Sequence, residues 1–249
     1  MAEAFTSNTR TGWLEPIAAS TERFIATVGR LTDDQVHAET LIPPWTRGHV
    51  ITHVCRAGDS LMRLLSWART GIEVPQYPSM EARAADIEAG AGRSVSELMT
   101  DLVDNGVRFA DAVRALSEVG WQRQVRPRTG ELRTAETLIP MRLRELEIHH
   151  VDLDAGYSFP DIPVAAARWI LDDIADALDR RGTDCPALRL RATDSGFARD
   201  PGAAETRDRI GVTGTQADLL AWLSGRVPAE NADLVADGAD TIPVAPVWI

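Results

Sequence analysis

Arg142–Gly156, RLRELEIHHVDLDAG, sets two of the chain's five histidines among charged and aliphatic residues in a pattern that reads as helix. Residues three and four apart share a helix face, so Glu145 and His149 are neighbours and Asp152 joins them. A carboxylate and an imidazole at that spacing form a metal-ligand pattern. His49 and His53 are also four apart, so four of the five histidines fall in two short windows. If the two helices are adjacent in a bundle, an imidazole from one and a carboxylate plus imidazole from the other can meet in the core. Three protein ligands and an open position make a catalytic rather than a structural metal site. Spacing does not choose among the histidines, because His49 or His150 can equally be a core or a surface residue. Asp152 is either the acceptor for a ligating imidazole or the ion-pair partner of an arginine. Cys55, two positions after His53, points about 200° away from it and is read as packing.

Outward from this stretch, three more helices are predicted in the first two-thirds of the chain. One runs from about Thr11 to Gly29 with Trp13, Leu14, Ile17, Phe24 and Ile25 on its apolar positions and Pro16 tolerable only near its first turn. A second follows Pro43-Pro44-Trp45 with Thr46 as N-cap, carries Val50, Val54, Leu61, Leu64 and Leu65, and stops near Gly71. A third opens on Ser94-Val95-Ser96-Glu97, the spacing of a capping box, and continues through Leu98, Leu102, Val113 and Leu116. The fourth holds the opening stretch, with Pro140 either kinking it or marking its first turn, and ends near Gly156. Together they predict a four-helix bundle over 1–158.

After Pro160 the texture changes. A helix over Val164–Arg181 is followed by Ala187–Thr193, whose apolar and charged residues alternate with the period of a half-buried strand. Arg209–Thr213 reads as another strand, Thr215–Leu223 as a helix, and Asp200–Glu205 as a solvated loop. Residues 159–249 are thus expected to form a small α+β domain, and the whole chain an α+β protein.

The composition bounds the function. A net charge of −11 argues against tracking nucleic-acid phosphates or anionic membrane, and leaves small molecules or proteins as partners. No basic-then-apolar leader and no apolar run near the roughly 20 residues of a membrane span is seen, so a cytoplasmic protein is expected. Cys55 and Cys185 are the only cysteines, too few for a disulfide framework or a multi-cysteine metal site, so thiol chemistry would need an outside thiol.

Trp45-Thr46-Arg47-Gly48-His49-Val50-Ile51-Thr52-His53-Val54 and Glu145–Leu153 resemble the two signatures of the mycothiol-dependent maleylpyruvate isomerase family. Ser66–Gly71 and Ser224-Gly225-Arg226 also fit it, and the resemblance covers nearly the whole chain. It implies an N-terminal DinB-like four-helix bundle with a divalent metal site, zinc above all, and a smaller C-terminal α+β domain. His53, Glu145 and His149 are the implied zinc ligands, with His49 and His150 outside that set, and Arg226 has an implied active-site role. The implied cosubstrate is mycothiol or another low-molecular-weight thiol.

The implied chemistry is addition of a metal-bound thiolate to the cis double bond of maleylpyruvate, rotation, and elimination to fumarylpyruvate, with Arg226 on a carboxylate or developing enolate. A thiol S-transferase would use the same residues but keep the thioether. A non-catalytic metal-binding regulatory module would instead fill the fourth metal position. The resemblance leaves the oligomeric state open.

Overall fold

The computed structural model describes residues 11–181, 184–202 and 209–246. The chain divides into two compact units, one of Ser7–Tyr157 and one built on Ser158–Ile249. The fold is α+β, a helical bundle followed by a smaller mixed unit.

In the first unit α1 spans Leu14–Val28, with Pro16 in its first turn, where the missing N–H has no intrahelical partner. A short α2, Asp33–Val36, is closed by a capping box on Thr32. The long α3, Arg47–Thr70, starts after Thr46 and ends at Gly71. Gly71 takes a left-handed φ of 79°, and its N–H donates to the Trp67 carbonyl at 2.8 Å, a helix stop that favours glycine. Next come α4, Met80–Ala91, and α5, Val95–Arg114, the latter opened by the reciprocal Ser94–Glu97 capping box. After α6, Glu118–Gln122, the two-residue strands β1 (Gln124–Val125) and β2 (Arg133–Thr134) pair antiparallel and lead into α7, Ala135–Asp152.

The bundle proper is α1, α3, α5 and α7: α3 packs on α5 and α7, and α1 on the same two helices. Val50, Ile51, Val54, Leu61, Leu64 and Leu65 of α3 are all buried, each stabilising the fold by about 1.5–3 kcal/mol. The structure decides two points about the last helix. Pro140 is the sixth residue of α7, so of the two alternatives it does not mark the first turn; inside the helix it deletes one backbone donor, which the surrounding bundle tolerates. The helix stops at Asp152 rather than near Gly156, because Asp154 turns to a φ of 47°.

The second unit begins with α8, Val164–Arg181, followed by β3 (Leu188–Ala192), β4 (Ala198–Arg199), β5 (Ile210–Gly214), α9 (Gln216–Leu223) and β6 (Leu234–Asp237). The sheet order is β4-β3-β5-β6, with β3 and β5 parallel in the register Leu190↔Val212 and the outer pairs antiparallel. Leu188 and Leu190 are buried while Arg189 between them is exposed, the alternation read in the sequence. Packing of α9 on both α8 and the central strands closes the core around Ile170, Ile174, Leu219 and Leu223. Of the loop expected over Asp200–Glu205, residues 203–205 lie outside the described ones.

Candidate metal centre

Side-by-side packing of α3 and α7 brings the two histidine windows together. His53 Nε2 lies 3.0 Å from His149 Nε2 and 3.4 Å from Glu145 Oε2, and His149 Nε2 lies 3.5 Å from the same carboxylate oxygen. Among the described residues these three form the group of histidine and acidic side chains able to close on one ion. A tetrahedral zinc with bonds of about 2.0–2.2 Å holds its donors about 3.3 Å apart, so the observed separations fit such an ion with little movement. The side chains of His53, Glu145 and His149 are 7%, 16% and 13% exposed, so the group is sunk in the bundle without being wholly sealed from solvent.

The electrostatics suit a cation. Burial, reinforced by the neighbouring His149, pushes His53 down to about 4, which leaves a neutral ring. Burial also opposes the charge on Glu145, but hydrogen bonds from His149 and His53 and the charge of Arg144 outweigh it and hold the carboxyl well below its usual range. For His149, too, burial disfavours the charge, and the Asp152 and Glu145 carboxylates overcome it, so its affinity for a proton is raised. Those carboxylates favour a proton, and would favour a metal ion for the same reason.

Local sequence fixes these positions. Asp152, one turn past His149, is fully buried and accepts from His149 Nδ1 at 2.8 Å, the contact expected of an acceptor for a ligating imidazole. The start of α3 is tied to the end of α7 by Arg47, whose Nε donates to Leu153 O at 2.7 Å and whose NH2 group donates to Asp154 O at 2.6 Å. A cation on the last carbonyls of a helix is doubly favourable. Leu41 N–H adds a bond to Asp152 O at 3.1 Å.

The other histidines are otherwise employed. His49 serves the N-terminus of α3: its Nδ1 accepts from Thr46 N–H at 3.2 Å, while its Nε2 pairs with Glu88 at 3.1 Å. His150 faces the opposite side of α7, where it bonds Thr27 Oγ1 at 2.8 Å and stacks on Tyr157 with centroids 3.7 Å apart. Cys55 is buried, and burial drives its thiol up to about 12, the reverse of a ligand thiol. Arg226 lies in the second unit, just past α9, with its guanidinium on Ser224 O at 2.7 Å.

Sequence reasoning missed Arg83. Its NH2 group lies 3.2 Å from His53 Nδ1, and its guanidinium carbon lies 6.0 Å from the Trp45 ring centroid and 5.7 Å from that of Tyr77. It sits on α4, which buries only Ile87, Gly90 and Ala91 and therefore has no apolar stripe to read. The available signal was Ser79 as N-cap ahead of an alanine-rich run of helix formers.

Similarity to known proteins converges on the same helices. The chain matches the family described as the mycothiol maleylpyruvate isomerase N-terminal domain over residues 17–154. In three dimensions it is similar to the crystal structure of the mycothiol-dependent maleylpyruvate isomerase, with a TM-score of 0.86 and 28% identity over 98% of this chain and 99% of that one. A histidine-to-alanine mutant of that enzyme matches with a TM-score of 0.85 and 27% identity, covering 98% of this chain and 99% of the mutant. YfiT from Bacillus subtilis, described as a probable metal-dependent hydrolase with an unusual four-helix bundle topology, shares the fold alone, with a TM-score of 0.52 and 15% identity over 62% of this chain and 89% of that one. No curated protein matches the sequence. The family match spans more than half of the chain and takes in both helices that bring His53, Glu145 and His149 together, so this protein belongs to the mycothiol maleylpyruvate isomerase N-terminal domain family.

Proposed function

We propose that this protein is a metal- and thiol-dependent cis–trans isomerase that converts maleylpyruvate to fumarylpyruvate. The observation that carries the reading is the convergence of His53, Glu145 and His149 from two helices, each donor within 3.5 Å of the other two. Likeness to the mycothiol-dependent isomerase at 28% identity supports the substrate and the thiol.

Two imidazoles and one carboxylate are a donor set used by catalytic zinc, which makes zinc the ion of choice. When bound, the ion supplies a position at which a thiol loses its proton readily. His53, Glu145 and His149 would hold it, and Asp152 would keep the His149 ring in place. The thiolate sulfur forms a bond to one alkene carbon of maleylpyruvate as the π pair moves into the conjugated carbonyl, giving an enolate. The former double bond is now single and turns. Collapse of the enolate re-forms the alkene in the trans geometry and breaks the carbon–sulfur bond, so the thiolate leaves unchanged. Arg226, from a C-terminal domain of residues 159–249, holds a substrate carboxylate or the enolate oxygen, a task suited to a planar guanidinium.

The test is turnover of maleylpyruvate by zinc-replete and chelator-treated protein with mycothiol and with other low-molecular-weight thiols. Fumarylpyruvate formed with the thiol regenerated, and only with metal present, is the expected result. A stable thioether would make the protein a thiol S-transferase. Zinc-replete protein inert with every thiol would overturn the activity.

A further inference from the structure

Two guanidinium groups touch the triad, and they differ in what else they bind. Arg144 is 9% exposed in its side chain and donates to Glu145 Oε1 at 3.3 Å, so its charge is matched by a carboxylate. Arg83 is half-buried and has no carboxylate partner among the described residues. Its protein contacts are the His53 ring edge at 3.2 Å and the Trp45 and Tyr77 faces. Rings at 6.0 and 5.7 Å steady a guanidinium without using any of its five N–H donors.

The contact with His53 is one that a metal would break. A guanidinium can only donate, so in the hydrogen bond His53 Nδ1 is the acceptor and the ring's proton sits on Nε2. A neutral His53 bound to an ion through Nε2 must carry its proton on Nδ1, where it would confront the N–H groups of Arg83. With an ion on Nε2, Arg83 could no longer donate to the ring, and its N–H groups would be open to another acceptor beside the Trp45 and Tyr77 rings.

We propose that Arg83 is the receptor for a carboxylate of the substrate that reacts at the metal, a site built within the bundle itself. The proposal rests on the reading of His53, Glu145 and His149 as metal ligands. A guanidinium takes a carboxylate in a two-pronged contact that an ammonium cannot copy. The same geometry predicts that Arg83 weakens metal binding in the absence of substrate, since it both repels the ion and holds His53 in the wrong tautomer.

The experiment uses the full chain and needs no turnover. Zinc affinity is measured by competition with a chelator, and binding of maleate, an unreactive cis-dicarboxylate, and of its uncharged diamide is measured by calorimetry on zinc-loaded protein. Wild type is compared with Arg83→Met, which keeps the stem between the rings, and with Arg83→Lys; thermal unfolding and zinc content confirm that each is folded. Arg83→Met should hold zinc several-fold more tightly and bind maleate at least tenfold more weakly, Arg83→Lys should recover part of the maleate affinity, and the diamide should not tell the three apart. Equal maleate affinity in zinc-loaded wild type and both variants would overturn the role of Arg83 while leaving the metal site intact. Wild-type protein that takes up no zinc would overturn the reading of the triad, and this proposal with it.

Discussion

His149 Nδ1 lies 2.8 Å from Asp152 Oδ2, one turn along the same helix, and the Asp152 carboxylate is shut off from solvent. A buried carboxylate on one ring nitrogen fixes the proton there and turns the other nitrogen's lone pair toward His53 and Glu145. It also makes that lone pair more basic. Asp152→Asn can keep the hydrogen bond through its amide oxygen but loses the charge. Zinc affinity, read by chelator competition, should fall about 10–100-fold. Wild-type affinity in this variant would reduce Asp152 to a helix-end residue.

The histidines divide into two sets with opposite expected behaviour. His53→Ala, His149→Ala and Glu145→Ala each remove a donor and should abolish stoichiometric zinc, checked by elemental analysis. His49→Ala and His150→Ala should retain it, because the first ring serves Thr46 and Glu88 and the second serves Thr27 and Tyr157. His150 is 1% exposed, so its removal should still destabilise the bundle by about 1–3 kcal/mol. Zinc lost from the His49 or His150 variant would show that the donor set is drawn differently.

Metal and stability should be coupled, since the donors come from two helices separated by 92 or more residues in the order 53, 145, 149. An ion that binds only the folded bundle at 100 times its dissociation constant adds about 2.7 kcal/mol. For a unit of this size that corresponds to about 5–10 °C in melting temperature. Chelation should lower the wild-type melting temperature by that amount and leave His149→Ala unmoved. A chelator shift equal in both proteins would point to an ion held elsewhere.

What was legible in the sequence follows from where the signals are strong. Thr46 and Gly71 mark both ends of α3, and Ser94–Glu97 the start of α5, because caps and left-handed stops are local chemistry. The Glu145–His149 pair was legible for the same reason, since residues four apart share a face of any helix, whereas His53 rather than His49 was implied only by the family resemblance. What escaped depends on tertiary packing. β4 has two residues, and β6 alternates only between half-buried and exposed, so neither has an apolar pattern of its own. α4 packs through glycine and alanine rather than a stripe of large side chains, and Arg83 went unread with it.

That small-residue packing yields its own prediction. A Cβ built on Gly48 would fall 2.0 Å from the Ala91 carbonyl oxygen, and one on Gly90 2.5 Å from the Thr52 methyl carbon. At Gly48 the obstacle is backbone and cannot swing aside. Gly48→Ala should therefore push α4 off α3 and destabilise the bundle by about 1–3 kcal/mol in a denaturant titration. Gly92→Ala, with nothing within 4 Å, should stay within about 0.5 kcal/mol. Equal stability of the two variants would mean that the α3–α4 approach has slack, and that Arg83 is not held at His53 by it.

Arg226 separates catalysis from metal binding, because it is remote in sequence from the donors and lies in the other compact unit. It follows Gly225, whose φ of 75° makes the turn out of α9, and its guanidinium donates to Ser224 O at 2.7 Å. Arg226→Ala should keep its zinc, since none of the donors belongs to this unit. If the residue holds a substrate carboxylate or the enolate, its loss should remove about 2–4 kcal/mol of transition-state stabilisation, read as kcat/KM on maleylpyruvate. Arg226→Lys should recover only part, since an ammonium cannot reproduce the forked contact. Removing both Arg226 and Arg83 discriminates further: two receptors for different acid groups give losses that add, whereas one shared carboxylate gives a combined loss smaller than their sum. Turnover by Arg226→Ala at the wild-type rate would make the residue a helix-end cation and leave the reaction to the bundle.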